Sequence, residues 1–150
     1  IGRAGAGRAA APHRGRPVSR RDAAWHDAQY NSRGRIPEHP QILQGWADRS
    51  AAARAALDGV TGLRYSEGER EALDLFRPRR TPPGGAPVLV WIHGGYWRAL
   101  DRQAQSFVAT PFVDAGALVV LPGYALCPAV TVEHIVLQLT RALAWVHAHA

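Results

Sequence analysis

The stretch Val88-Leu89-Val90-Trp91-Ile92-His93-Gly94-Gly95-Tyr96-Trp97 decides the fold of this chain. Its first five residues form a continuous apolar run, which is typical of a strand buried on both faces in a parallel sheet. Two glycines then allow positive φ and a close approach of backbone N–H groups to a ligand. Such N–H groups stabilise the oxyanion that forms in acyl transfer. A Gly-Gly turn alone is common, but a buried strand, a His, two Gly, two aromatics and a following helix together favour an oxyanion loop.

Downstream of this stretch the pattern predicts one more strand between two helices. Asp101 can cap a helix over roughly 101–114, and Pro111 is expected to kink it in its interior. Ala117 to Leu121 is a second fully apolar run. Strand, helix and strand in this order predict a right-handed βαβ unit with parallel strands.

A last helix is predicted to begin at Thr131, which can cap it. Its apolar residues recur at helical spacing and are expected on one face: Val132, Ile135, Val136, Leu139, Leu143 and Val146.

Upstream, the sequence predicts an amphipathic helix over roughly 40–57, starting at His39-Pro40. Leu63–Tyr65 and Ala72–Phe76 are strand candidates around a turn at residues 66–68, and together they predict an antiparallel hairpin.

The fold class is therefore α/β, with the α/β sandwich incomplete. One crossover cannot cover both faces of a parallel pair. We therefore expect the 117–121 strand to expose an apolar edge, and the isolated chain to be poorly stable.

The net positive charge of the chain is concentrated in its first residues. Residues 1–21 hold six Arg and no acidic residue, whereas the rest holds twelve Arg and twelve Asp or Glu. Residues 1–22 are interpreted as a disordered, basic, low-complexity tail, and residues 23–150 as the folded domain. A neutral domain gives little steering toward phosphate, so no nucleic-acid partner is expected. Deleting residues 1–21 would test the alternative of a nucleic-acid-binding tail.

Compartment and membrane association can also be addressed from the sequence. Cys127 is the single cysteine, which excludes an intramolecular disulfide and fits a reducing compartment. No run of eighteen apolar residues occurs, so no membrane-spanning helix is expected. We predict a cytoplasmic protein without a membrane partner.

None of the five serines has the surroundings of a strained nucleophile, because none lies in Gly-x-Ser-x-Gly. Cys127 is a poor substitute, since the following residue, Pro128, has no N–H to stabilise an oxyanion. Cys127 is interpreted as a packed small hydrophobe. No His, Cys or carboxylate cluster has metal-ligand spacing, and no cofactor is expected. His93 is interpreted as a loop-organising residue whose ring bonds nearby backbone.

Residues 87–97 resemble the core of the kynurenine formamidase (arylformamidase) branch of the α/β-hydrolases. The related hormone-sensitive-lipase-like esterases more often have a third Gly where this chain has Tyr96. Further similar segments surround that core: Gln29–Arg33, Ile36–Pro40, Leu73–Pro78, Gly123–Pro128 and Ala142–Val146. The resemblance covers residues 25–150.

The resemblance implies a serine hydrolase that converts N-formylkynurenine to kynurenine and formate, or hydrolyses related aryl formamides or esters, without a metal. It implies that Gly94, Gly95 and Tyr96 supply oxyanion N–H groups and that Trp97 lines the substrate pocket. Because the triad order in this fold is Ser, then Asp or Glu, then His, all three are expected beyond residue 150. The chain alone is then predicted to be inactive. A general carboxylesterase of the same fold and a non-catalytic fragment or pseudoenzyme remain as alternatives.

Overall fold

A computed structural model describes residues 21–149, apart from the side chain of Ser32. The predicted disordered tail therefore lies almost entirely outside the described residues. The chain divides into two compact units after Pro37. In the first unit, α1 (Ala23–Tyr30) is capped by Asp22, whose carboxylate accepts from the Trp25 N–H at 2.8 Å. A one-turn helix, α2 (Ser32–Arg35), follows.

The second unit has helices around a four-stranded mixed sheet. Its elements in chain order are α3 (His39–Ala56), β1 (Gly59–Arg64), β2 (Ala72–Phe76), β3 (Val88–Val90), a 3₁₀ segment (Gln103–Val108), α4 (Ala109–Asp114), β4 (Leu118–Pro122) and α5 (Val132–His149). The predicted helix over 40–57, the hairpin, both apolar strands and the last helix are all present. Strand β1 begins four residues before the predicted Leu63, and its register against β2 shifts between Val60 and Leu63.

The strand order β1-β2-β4-β3 puts β4 inside the sheet and β3 at its edge. β3 and β4 are parallel, as predicted, and β2 pairs antiparallel with the other side of β4. Two expectations were therefore wrong. The 117–121 strand does not expose an edge, because β2 and β3 cover both of its sides. The 88–92 run is not buried on both faces in the described structure, because Val88, Trp91 and Ile92 are exposed.

The helix predicted over 101–114 is broken, but not at Pro111. The Asp101 carboxylate caps its start by accepting from the Ala104 N–H at 2.8 Å. The break lies at Gln105, whose φ of −124° is non-helical and divides the 3₁₀ segment. Pro111 lies in the first turn of α4, where a missing N–H breaks no helical hydrogen bond.

Helix α5 buries a face that is rotated from the predicted one. Ile135, Leu139 and Val146 pack inward together with Gln138 and Ala142, whereas Val132, Val136 and Leu143 are exposed. The predicted apolar positions do share one side of the helix, but the buried face is shifted around the helix axis toward Gln138 and Ala142. None of the helices in residues 21–149 is long and apolar enough to span a bilayer.

Candidate active site

The loop after β3 is held in an unusual backbone conformation. Gly95 has a φ of +120°, and Tyr96, Trp97 and Leu100 have φ of +55°, +60° and +68°. Non-glycine residues rarely adopt positive φ, and such strain collects at functional sites. The carbonyl of Gly95 accepts from the N–H groups of Arg98 and Ala99, both at 3.0 Å, which closes the loop into a tight turn.

The amides of this loop are not used by the sheet. The last ladder bond on this strand runs from the Trp91 N–H to the Val120 carbonyl at 2.8 Å. Within residues 21–149, no acceptor takes the N–H groups of Gly94, Gly95 or Tyr96. Backbone donors without a partner are the groups that an oxyanion would engage. The structure therefore leaves these three amides available.

His93 is buried at the base of the loop and stacks on Tyr124. Their ring centroids are 4.2 Å apart, and the planes differ by 7°. The Tyr124 hydroxyl donates to the His93 carbonyl at 2.6 Å. His93 Nδ1 lies 2.8 Å from the Gly94 carbonyl and must carry the proton to bond it, because a carbonyl only accepts. In the described part of the chain His93 Nε2 is buried and finds no partner.

The two aromatic residues of the loop differ in exposure. The Tyr96 side chain is 75% exposed, whereas Trp97 is 40% exposed. The Trp97 ring lies 5.8 Å from that of Tyr124, and its carbonyl accepts from the Cys127 N–H at 2.8 Å. Trp97 thus packs beside the His93–Tyr124 stack, while Tyr96 points into solvent.

Burial lowers the pKa of His93 below its ordinary value of 6.5. The hydrogen bond to Gly94 opposes that shift, and the charge of Arg70 adds to it. The unfolded chain therefore binds a proton near pH 6.5, whereas the folded protein does so only at lower pH. The contribution of neutral His93 to the free energy of unfolding is fully present above pH 6.5, and it is lost as the pH falls from 6.5 through the pKa of His93 in the folded protein.

We expect the free energy of unfolding to fall as the pH is lowered from 6.5 toward 4.5, by up to about 1.4 kcal/mol per pH unit, and His93→Gln to flatten that slope. Denaturant unfolding across this window measures both slopes. The window avoids the titration of Glu71. Burial would raise the pKa of Glu71, but hydrogen bonds from Arg141 and Gly68 lower it to about 2. The stability from Glu71 is lost only below about pH 4.5. Equal slopes in the two proteins would contradict the assignment to His93.

The serines with the most buried side chains serve structure. Ser50 Oγ donates to the Ala104 carbonyl at 3.0 Å and accepts from the Phe107 N–H. Ser106 lies in the 3₁₀ segment, where Arg54 donates to its Oγ at 3.0 Å. Cys127 is partly buried against the cluster of Tyr124, Ile135 and Leu139. In residues 21–149, no three His, Cys, Asp or Glu side chains gather as metal ligands would.

Sequence reasoning missed Tyr124 as part of this site. The apolar strand before Gly123 predicted a strand end here, but nothing local indicates that a hydroxyl two residues after β4 reaches the carbonyl of His93. The parallel pairing of β3 and β4 brings the two strand ends together.

Comparisons with known proteins address the family. A kynurenine formamidase of Danio rerio is 32% identical over 108 residues, which are 72% of this chain and 36% of that protein. A kynurenine formamidase of Drosophila melanogaster is 39% identical over 87 residues, which are 58% of this chain and 28% of that protein. The chain belongs to the arylformamidase-like branch of the α/β-hydrolases. It spans about a third of the length of these curated relatives. No family model matches the chain.

Solved structures agree with this α/β-hydrolase assignment. A candidate thioesterase from Silicibacter aligns with a TM-score of 0.74 at 32% identity, covering 80% of this chain and 45% of that one. Esterase B from Lactobacillus rhamnosis aligns with a TM-score of 0.58 at 22% identity, covering 75% of this chain and 39% of that one, and shows the fold alone. Among sequence relatives, esterase LipQ of Mycobacterium tuberculosis is 30% identical over 133 residues, covering 84% of this chain and 30% of that protein. The mixed sheet and its helices are therefore part of an α/β-hydrolase fold.

Proposed function

We propose that this arylformamidase-like hydrolase cleaves aryl formamides of the N-formylkynurenine type, and that the Gly94–Tyr96 segment is its oxyanion hole. The observation that supports the proposal is a set of three amides, on a strained loop directly after a parallel strand, that have no partner within residues 21–149. Kynurenine formamidase relatives that match over most of this chain support the substrate class.

The reaction would proceed by acyl transfer. A serine oxygen attacks the formyl carbon while a histidine takes the serine proton, and an aspartate orients that histidine. The carbonyl oxygen becomes an oxyanion, which the Gly94, Gly95 and Tyr96 N–H groups would bind. The C–N bond then breaks, and the histidine returns the proton to the departing aryl amine. Water releases formate from the acyl-enzyme by the same steps.

This chain contributes the oxyanion side of that site rather than its nucleophile. The buried serines are committed to structural hydrogen bonds, so we place the serine, aspartate and histidine beyond residue 150. We assign Trp97 to the pocket wall because it belongs to the loop and its ring packs beside that of Tyr124. His93 would organise the loop through its ring and its carbonyl.

A general carboxylesterase is the second candidate, supported by the esterase relative. The aromatic pair Tyr96-Trp97, in place of a third glycine, favours a planar aryl substrate instead. A non-catalytic fragment or pseudoenzyme is the third candidate, for which the coding sequence beyond residue 150 decides. A Gly-x-Ser-x-Gly there supports the enzyme.

The complete protein is expected to hydrolyse N-formylkynurenine with a higher kcat/KM than short acyl esters. Parallel assays on purified protein measure that ratio, with formate release as the readout for N-formylkynurenine and alcohol release as the readout for the esters. A ratio below one would assign the carboxylesterase function instead. No turnover of either substrate by a protein that has the serine motif would overturn the proposal.

A further inference from the structure

Arg70 connects two segments that border the candidate oxyanion loop. It lies in the turn between β1 and β2, and its side chain is partly buried. Its Nε donates to the Tyr124 carbonyl at 2.9 Å, and its Nη2 donates to the Leu100 carbonyl at 2.7 Å. Leu100 is the last positive-φ residue of the loop, so one guanidinium joins the loop's end to the segment after β4.

The segment after β4 also holds the beginning and the middle of the loop. The Tyr124 hydroxyl donates to the His93 carbonyl, and the Cys127 N–H donates to the Trp97 carbonyl. All the loop groups engaged in this way are carbonyls. The loop is therefore fixed at its start, middle and end, while the Gly94–Tyr96 N–H groups find no acceptor among the residues that the structure describes.

A close backbone contact supports the same arrangement. The Gly123 N–H donates to the Ala72 carbonyl at 2.8 Å, and a Cβ on Gly123 would lie 2.7 Å from the Arg70 carbonyl. Glycine at this position lets the segment after β4 approach the β1–β2 turn closely enough for the guanidinium to reach both carbonyls.

We infer that Arg70 is a positioning residue for the oxyanion loop, which it holds through the Leu100 and Tyr124 carbonyls; the inference rests on the proposed function. The rigid fork of a guanidinium suits two carbonyls at a fixed separation, which a lysine ammonium does not reproduce. Its positive charge also lies beside the end of the loop, where it favours a negative charge that develops nearby.

The test compares Arg70→Met and Arg70→Lys with Arg64→Met in the complete protein. Arg64 is a matched control, because it lies by the same turn but donates only to the turn carbonyls of Glu67 and Glu69. We expect both Arg70 variants to lower kcat per active site by about tenfold or more, with KM within about twofold of wild type. We expect Arg64→Met to change neither. A purely structural role would lower the thermal midpoint without lowering kcat per titrated active site.

Amide hydrogen exchange at Arg98 and Ala99, whose N–H groups donate to the Gly95 carbonyl, provides a readout that needs no activity. Exchange there should be about tenfold faster in both Arg70 variants than in wild type or Arg64→Met. If the wild type turns over substrate and Arg70→Met has the same kcat and the same exchange rates, the inference is overturned and the proposed function stays intact. Faster loop exchange in a protein without any turnover overturns the proposed function and supports the bracing by Arg70. Full activity in Arg70→Lys would show that charge alone matters and would overturn the positioning role.

Discussion

Gly95→Ala is expected to lower kcat of the complete protein by about 10²–10³-fold, the range found when an oxyanion donor is lost. Gly95 has a φ of +120°, which residues with a side chain avoid. An added Cβ would also overlap the Ala99 carbonyl, which is backbone and cannot swing aside. The tight turn from Gly95 to Ala99 must therefore open, and the Gly94–Tyr96 amides must move. Steady-state kinetics on N-formylkynurenine, normalised to titrated active sites, measure the loss.

Gly94→Ala is the matched control for this prediction. A Cβ at Gly94 meets no heavy atom of the described chain within 4 Å, and its φ is not positive. We expect the thermal midpoint and the amide exchange at Arg98 and Ala99 to stay at wild-type values in Gly94→Ala, and both to change in Gly95→Ala. Wild-type kinetics in Gly95→Ala, or equal effects of the two substitutions on loop exchange, would contradict the geometry described for this loop.

The prediction of the loop from sequence succeeded where local chemistry decides the conformation. An apolar run followed by His93-Gly94-Gly95 indicates a strand end whose backbone adopts positive φ, and the structure has that conformation at Gly95. The hairpin and the parallel β3–β4 pair followed equally from periodicity and chain order. The functional roles of Gly94, Gly95, Tyr96, Trp97 and His93 stay predictions.

Burial and long-range contacts were less accessible from sequence. An apolar run indicates that a strand belongs to a parallel sheet, but it does not indicate whether that strand lies at the edge. In the described sheet β4 lies between β2 and β3, so β3 is the edge strand. The contacts of Arg70 and Tyr124 with the loop join segments that are far apart in sequence. Only the folded sheet brings these segments together, so residue type alone carried no signal for them.

Arg102→Met is expected to lower the free energy of unfolding by about 3–5 kcal/mol, as is typical when one partner of a buried ion pair is removed. Asp74 lies on β2 with its side chain fully buried, and its Oδ1 accepts from Arg102 Nε at 2.9 Å and from the Gly62 N–H at 2.8 Å. In the described structure Asp74 Oδ2 has no partner. Without the guanidinium, a carboxylate stays inside the sheet with one backbone N–H to compensate it. Denaturant unfolding of both proteins at neutral pH measures the loss.

Two further variants separate the cost of leaving a buried charge unpaired from the small cost of losing an exposed ion pair. Arg79 and Asp114 approach to 2.6 Å, but both side chains are half exposed, so Arg79→Met should cost no more than about 1 kcal/mol. The double variant Asp74→Leu/Arg102→Met removes both buried charges and should recover much of the stability lost in Arg102→Met. If Arg102→Met lowers the free energy of unfolding no more than Arg79→Met does, then Asp74 reaches solvent or another cation. A double variant as unstable as Arg102→Met would assign the cost to lost packing of the Arg102 stem rather than to the uncompensated charge.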